Sequence, residues 1–441
     1  MTSPRAALGE RPRALVGAAT RRTFRSLAVR NYRLFFLGQL VSVSGTWMQQ
    51  VAQSWLVLTL TGSGLDLGVT VALQFLPMLL FGMWGGVIAD RFDKRRILLV
   101  TQAAAAVLAL TLWALVAAGS VELWMVYVLA FLLGMVQMVD MPTRQSFVIE
   151  MVGPDEVPNA VGLNSAMFNA GRLLGPAAAG AVIATAGVAP AFLVNAASYL
   201  AVMAALWTMR PEELHRAPVL APGRRPGQIR EGLRTVWGDP RLRSPLLLVA
   251  VIGTFGFNSQ VVIPLLAAET LGGGPRLYGV LSGALGLGSL IGALVAAGRA
   301  RPTRSVLVGS AIAFGAANLV AAVAPTTLTV AVALVAVGAF MLLFLATANA
   351  TLQLSSAPAL RGRVMALYGL VFLGSTPVGG PLLGYVAGRW GAPAGLALGG
   401  AVSLAAALTA AVVPARRRRR AAAALPGPTG RVDDMAPDAA A

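Results

Sequence analysis

The sequence predicts an all-α membrane protein: twelve transmembrane helices in two pseudo-symmetric six-helix halves. Three observations predict it. The 441 residues are 57% hydrophobic and 12% charged, with a mean hydropathy of +0.73. Soluble domains carry about twice that charged fraction. The apolar residues fall into twelve runs long enough to span a bilayer, six on each side of a polar middle. The basic residues that give the net charge of +18 sit in short loops and tails between those runs. There they read as topology signals and not as a nucleic-acid footprint.

Taken in order, residues 1–30 are basic, with an apolar patch at 14–19 that Gly17 breaks and that is too short for a signal-peptide core. They are expected to form a cytoplasmic tail leading into a short surface helix over 24–32. Spans follow at 33–59, 67–89, 97–118, 121–141, 158–185 and 190–208, which makes 31–208 the N-terminal half. A cytoplasmic central loop is expected over 209–243, where Pro218, Pro222 and Pro226 argue against one continuous helix. Six further runs at 244–268, 277–298, 304–323, 326–349, 363–387 and 393–413 form a C-terminal half over 244–414. The remainder, 415–441, opens with Arg416 to Arg420, is otherwise small and Pro-containing, and is expected to be disordered.

The halves repeat weakly. Gly45, Gln49 and Gly68 match Gly256, Gln260 and Gly279 at one offset, and Gly175-Pro176 matches Gly380-Pro381 at a slightly shorter one. Alternate loops are basic, as are both tails. The opposite loops hold only Arg276 and Arg389 as bases. Both termini are therefore expected on the cytoplasmic side of the plasma membrane.

Composition excludes several chemistries. Cysteine is absent, so there is no disulfide or thiolate. The single His215 lies in a polar loop, so no histidine cluster can hold a metal. Lys94, the only lysine, is followed by Arg95, which rules out a Walker A loop. No cofactor and no enzymatic activity are expected. The expected partners are the lipid bilayer, a small-molecule substrate and protons, with no nucleic acid, and the chain is expected to be a monomer.

Three stretches stand out as candidate machinery. In the first span Gln39, Ser42, Thr46, Gln49, Gln50 and Gln53 fall within roughly one 100° arc, with Trp47 at its edge. Amides facing lipid are costly, so this arc faces either a wet substrate path or neighbouring helices, and the path is favoured. The fifth span carries Asn164, Phe168 and Arg172 on one face. Arg172 is about fourteen residues into its helix, near mid-membrane, where an arginine is a functional candidate by default. Its bland alternative is a structural arginine bonded to carbonyls freed by Pro176. In the seventh run Asn258 and Gln260 complete the expected path. Asp140 and Arg144 follow the fourth span as candidates for a gate or for proton coupling, although Pro142 between them speaks against a regular helical pair.

The loop Gly86-x-x-x-Asp90-Arg91-x-Asp93-Lys94-Arg95-Arg96 joins the second and third runs. It resembles the signature loop of major facilitator superfamily transporters. Asn31-Tyr32-Arg33-Leu34-Phe35, Asp140-Met-Pro142-Thr-Arg144, the stretch 159–172, Gly175-Pro176 and Arg361-Gly362-Arg363-Val364-Met365 resemble the branch with enterobactin exporters and macrolide-efflux proteins. The resemblance implies the major facilitator fold, parallel halves and alternating access. It also implies that Asp90 latches against the start of the eleventh span. The reading is a secondary transporter that exports an amphipathic small molecule (a drug, siderophore or secondary metabolite) by proton antiport. Uptake, lipid flipping and a transport-inactive receptor or scaffold are the rival readings. No acid sits mid-span, which with Arg172 favours neutral or anionic cargo.

Overall fold

The computed structural model describes residues 24–215, 228–299, 301–358 and 360–423. The expectations for 1–23, for the prolines within 216–227 and for 424–441 lie outside the described residues. The described residues form helices joined by short turns, bends and irregular connections, with no strand among them. The N-terminal half comprises α1 (Arg30–Thr61), α2 (Gly64–Arg91), α3 (Lys94–Ala117), α4 (Leu123–Val152), α5 (Val157–Ala186) and α6 (Ala189–Trp207). A short helix α7 (Gln228–Gly238) precedes the C-terminal half. That half comprises α8 (Pro240–Gly256), α9 (Ser259–Leu265), α10 (Pro275–Ala297), α11 (Arg304–Val323), α12 (Thr327–Ser355), α13 (Arg361–Trp390) and α14 (Ala392–Ala423). Ten of the helical segments are long and apolar enough to cross a membrane. The two longest segments outside that set are α1 and α5, which carry the polar stripe and Arg172.

Four boundaries differ from expectation. The entry helix over 24–32 is instead one 3-10 turn, Arg25–Ala28, because Val29 is extended and α1 starts afresh at Arg30. The fourth span does not stop near 141. It runs through Pro142 to Val152. Pro142 frees the carbonyl four residues back, that of Met138, and Gly85 of α2 packs its backbone against that oxygen. The seventh span is broken at Phe257 and Asn258 and ends in a π turn, Leu266–Thr270. Gly256 weakens the helix there, and the Asn258 side chain donates to the Thr254 carbonyl (2.8 Å), taking the place of the main-chain bond. Phe257 then fills the C-terminal half against Phe314, Phe344 and Phe372. The last helix continues past 415 to Ala423, as alanine and arginine favour.

The halves meet along two helix pairs, α2 with α13 and α5 with α10. Both are glycine contacts, and each is the counterpart of the other. A Cβ on Gly68 would lie 2.7 Å from Pro381 Cα and still nearer the Gly380 carbonyl. One on Gly279 would lie 2.6 Å from the Pro176 carbonyl and 2.8 Å from Gly180 Cα. The positions that match in the internal repeat thus meet reciprocally in space. Elsewhere Gly288 and Gly292, four residues apart, pack inside the C-terminal half against Val335 and Ala339, and Gly82 meets only Met78 of its own helix.

The two ends of the bundle differ. Around the connections 62–63 and 271–274 one buried apolar cluster crosses both halves, from Met48, Leu56 and Leu67 to Val261, Leu265, Leu383 and Ala387. At the end with the basic loops there are two separate clusters. One, with Tyr32, Phe35, Phe147 and Met151, belongs to the N-terminal half. The other, with Val236, Leu246, Val364 and Leu367, belongs to the C-terminal half. A Cβ on Gly162, Gly362 or Gly369 would meet nothing within 4 Å. The bundle is closed at the far end and parted at the basic end.

Candidate functional site: a polar path between the halves

The polar stripe of α1 divides between two environments. Gln39, Ser42, Gln49 and Gln53 are buried, while Thr46 and Gln50 are half-buried. The single wet wall expected for all six is therefore corrected. Gln39 and Gln49 are spent on neighbouring helices: the Gln39 Oε1 accepts from Arg144 Nη1 (3.1 Å) and the Gln49 Oε1 from Asn195 Nδ2 (2.6 Å). Buried amides need such partners, and α4 and α6 supply them. Gln50 instead faces the other half, where its Oε1 accepts from Gln260 Nε2 at 3.1 Å.

Asp140 and Arg144 form the pair that Pro142 seemed to forbid, because α4 stays helical through it. Arg144 Nη2 lies 2.6 Å from Asp140 Oδ2. The other carboxylate oxygen accepts from Thr101 Oγ1 (2.7 Å) and Gln102 Nε2 (2.9 Å) of α3. Asp140 is the only buried acid among the described residues. The network thus ties α1, α3 and α4 together, with Gln39 Nε2 and Gln102 Oε1 left without partners.

Lys94 and Arg95 of the signature loop bond within their own half. Asp93 caps α3 by accepting from the Arg96 amide (2.9 Å). Lys94 pairs with Glu150 of α4 at 2.6 Å. Arg95 donates to the carbonyls of Leu206 (2.7 Å) and Trp207 (3.1 Å), the exposed C-terminal end of α6. Gly86 is half-buried, and Asp90, Arg91 and Arg96 are exposed. Across the opening, Arg361 Nε donates to the Gln353 carbonyl of its own half. Asp90 therefore loses no contact when replaced here. Asp90→Asn is expected to leave Tm unchanged and to lower transport several-fold. Wild-type transport by the variant, measured in vesicles, would remove the latch role.

Arg172 occupies the seam. Its guanidinium lies 5.5 Å from the centre of the Trp47 ring, in cation–π range, and its Nη2 is 4.0 Å from Met341 Sδ of α12. Phe168 stands edge-on to Trp47, centroids 6.3 Å apart, and is exposed; Asn164 is half-buried one turn earlier. No carboxylate pairs with Arg172 among the described residues. The carbonyl of Arg172, freed by Pro176, is met not by its own side chain but by Gly286, whose Cβ would sit 2.8 Å away. That disfavours the bland role in which the side chain satisfies the freed carbonyl. Asn258 is buried at the break, with its Oδ1 unpartnered.

A profile for transmembrane secretion effectors matches residues 21–428. The chain belongs to this family of the major facilitator superfamily. Its multi-pass helical fold is that of a membrane transporter and not of an enzyme. It is 28% identical to the multidrug efflux pump Tap of Mycolicibacterium fortuitum over 79% of this chain and 88% of that one. It is 26% identical to the enterobactin exporter EntS of Citrobacter koseri over 80% and 84%. The similarity to the staphyloferrin A transporter of Staphylococcus aureus, 26% identical, spans 60% of this chain and 66% of that protein. A bacterial homolog of the human lysosomal transporter Spinster, solved in an inward-facing and unoccupied conformation, superposes with a TM-score of 0.68 at 15% identity. The superposition covers 88% of this chain and 96% of that one. That likeness concerns the fold alone.

Sequence reasoning missed Met341, Asn195, Thr101 and Gln102. The last two are adjacent polar residues early in an apolar run, a signal strong enough to suggest a partner for the lone buried acid. Met341 is invisible to polarity arguments because its role comes from position.

Proposed function

We propose that this transporter exports an amphipathic small molecule with an anionic or neutral polar group across the plasma membrane by alternating access, with proton antiport as the driving force. The observation that carries the cargo reading is Arg172. It is a cation on the seam between the halves, held by an aromatic face and a thioether, with no acid paired to it among the described residues. An intramembrane charge in that position is stabilised by water or by cargo. Twelve spans, basic loops on the cytoplasmic side and cytoplasmic termini complete the reading, supported by the loop charges. In that orientation the parted basic end faces the cytoplasm and the state is inward-open. Asp140 is the proposed proton-coupling residue because it is the acid buried deepest on a path-lining helix.

The test is Arg172→Gln in purified protein, titrated with dansylglycine, an anion, and with a neutral dansyl amide. Loss of a charge-assisted hydrogen bond is expected to weaken dansylglycine binding by about 1.5–3 kcal/mol, with far less change for the amide. Equal losses for both ligands would remove the anion site.

A further inference from the structure

We infer that the far end of the path contains a second, uncharged subsite, an amide cage for a hydroxyl- or carboxamide-bearing end of the cargo. The inference rests on the transport reading above. Its residues come from three helices and both halves: Gln50, Gln53 and Ser54 of α1, Thr70 and Gln74 of α2, and Gln260 of α9. They surround a void of about 10 Å³, room for one water-sized group. Two of the walls are chemically unfinished. Gln53 and Gln74 are each only 6% exposed, line the void, and make no side-chain hydrogen bond among the described residues. A buried carboxamide without partners is costly, so the void is built to receive a group that supplies them.

The donor set identifies the class of that group. No charged side chain lines the void, so neither an anion nor an organic cation finds a counter-charge there. Four carboxamides bring oxygens and N–H groups in equal measure. A bare metal cation would use the oxygens alone and leave the amide hydrogens facing one another. A hydroxyl or a carboxamide both donates and accepts, and uses both kinds of atom.

The cage lies beyond Arg172 along α1. Trp47, Gln50 and Gln53 follow one another on α1 at intervals of three residues, so the cage sits about 9 Å along the helix from the Trp47–Arg172 contact. Gln260 closes it from the other half through its 3.1 Å bond to Gln50. When the far end opens, α9 leaves with its half and the cage loses that wall. The uncharged end of the cargo is thereby held while the far end is closed and released when it opens.

The experiment uses the full chain in lipid nanodiscs. The probes are 4-methylumbelliferyl β-D-glucopyranoside, rich in hydroxyls, and its tetra-O-acetyl derivative, which has none. The glucoside is expected to bind at least tenfold more tightly. In the Gln53→Leu/Gln74→Leu variant the two probes should bind equally. Tm should not fall, because neither amide has a protein partner to lose; each single leucine variant should show part of the same loss. Equal binding of the two probes by the wild type overturns the cage. So does a Tm that rises with NaCl but not with choline chloride, and only when Gln53 and Gln74 are present, since that marks a cation site. Dansylglycine is titrated alongside. If it binds in an Arg172-dependent way while the glucoside is ignored, the cage fails and the anion site stands. If the glucoside is bound and dansylglycine is not, the reverse holds.

Discussion

Asp140→Ala is expected to destabilise the N-terminal half by about 3–5 kcal/mol, the range for removing one partner of a buried ion pair. The carboxylate receives three hydrogen bonds, from Arg144, Thr101 and Gln102, at 2.6 to 2.9 Å. Its loss leaves the Arg144 guanidinium, only 22% exposed, with Gln39 as its one remaining partner among the described residues. Most of the cost is that orphaned charge and not the lost attraction. The Asp140→Ala/Arg144→Leu double variant should therefore recover part of the stability, and the two single effects should not add. Thermal unfolding of the purified variants checks this. If the double variant is as unstable as the sum of the singles, the pair is not a coupled unit. Transport separates stability from proton coupling. Asp140→Asn keeps an oxygen acceptor, and if it folds and its transport is still driven by the proton gradient at the wild-type rate, Asp140 does not couple.

Gly68→Val is expected to cut transport by more than tenfold without unfolding either half. A Cβ there meets the Gly380 carbonyl and Pro381 Cα, backbone atoms that no rotamer change can move aside. Overpacking costs about 1–3 kcal/mol even where side chains can yield. The halves relieve it by parting at the far end, so the closed-far-end state is penalised selectively. A penalty of about 3 kcal/mol moves a two-state ratio more than a hundredfold. The readout is alkylation of a cysteine at Ser54, which is 7% exposed here and lies at the closed end. The chain contains no other cysteine to interfere. Faster labelling in the Gly68→Val background is expected, and Gly279→Val should behave alike because it occupies the reciprocal contact. Unchanged labelling together with wild-type transport would show that the glycine contact does not govern closure.

The candidate site was legible wherever a residue's meaning is local. Arg172 stands out because a charge deep in an apolar run has few explanations, and the structure places it on the seam beside Trp47 and Phe168. The α1 stripe was legible as a face but not as a destination. The same helical arc points partly at α4 and α6 and partly at the opposite half, and no periodicity separates Gln49 from Gln50. Pro142 misled for a related reason. Proline interrupts an isolated helix, yet in a bundle a neighbour can approach the freed carbonyl, as Gly85 does. The break after Gly256 has only a weak signal, since Gly and Asn occur in unbroken helices as well.

By itself the sequence determined that the chain is a helical membrane bundle with two related halves, because hydropathy, loop charge and internal repetition are sums over many residues and tolerate local error. It also singled out Arg172 and the charged loop as residues too costly to be incidental. Only the tertiary structure decided which glycines bring the halves together, which end is shut, that Asp140 and Arg144 pair through a proline, and that Gln53, Gln74 and Gln260 enclose one void. Each of these depends on two helices far apart in the chain and on their relative rotation and depth. A shift of one residue changes the facing by about 100° while leaving every local pattern intact.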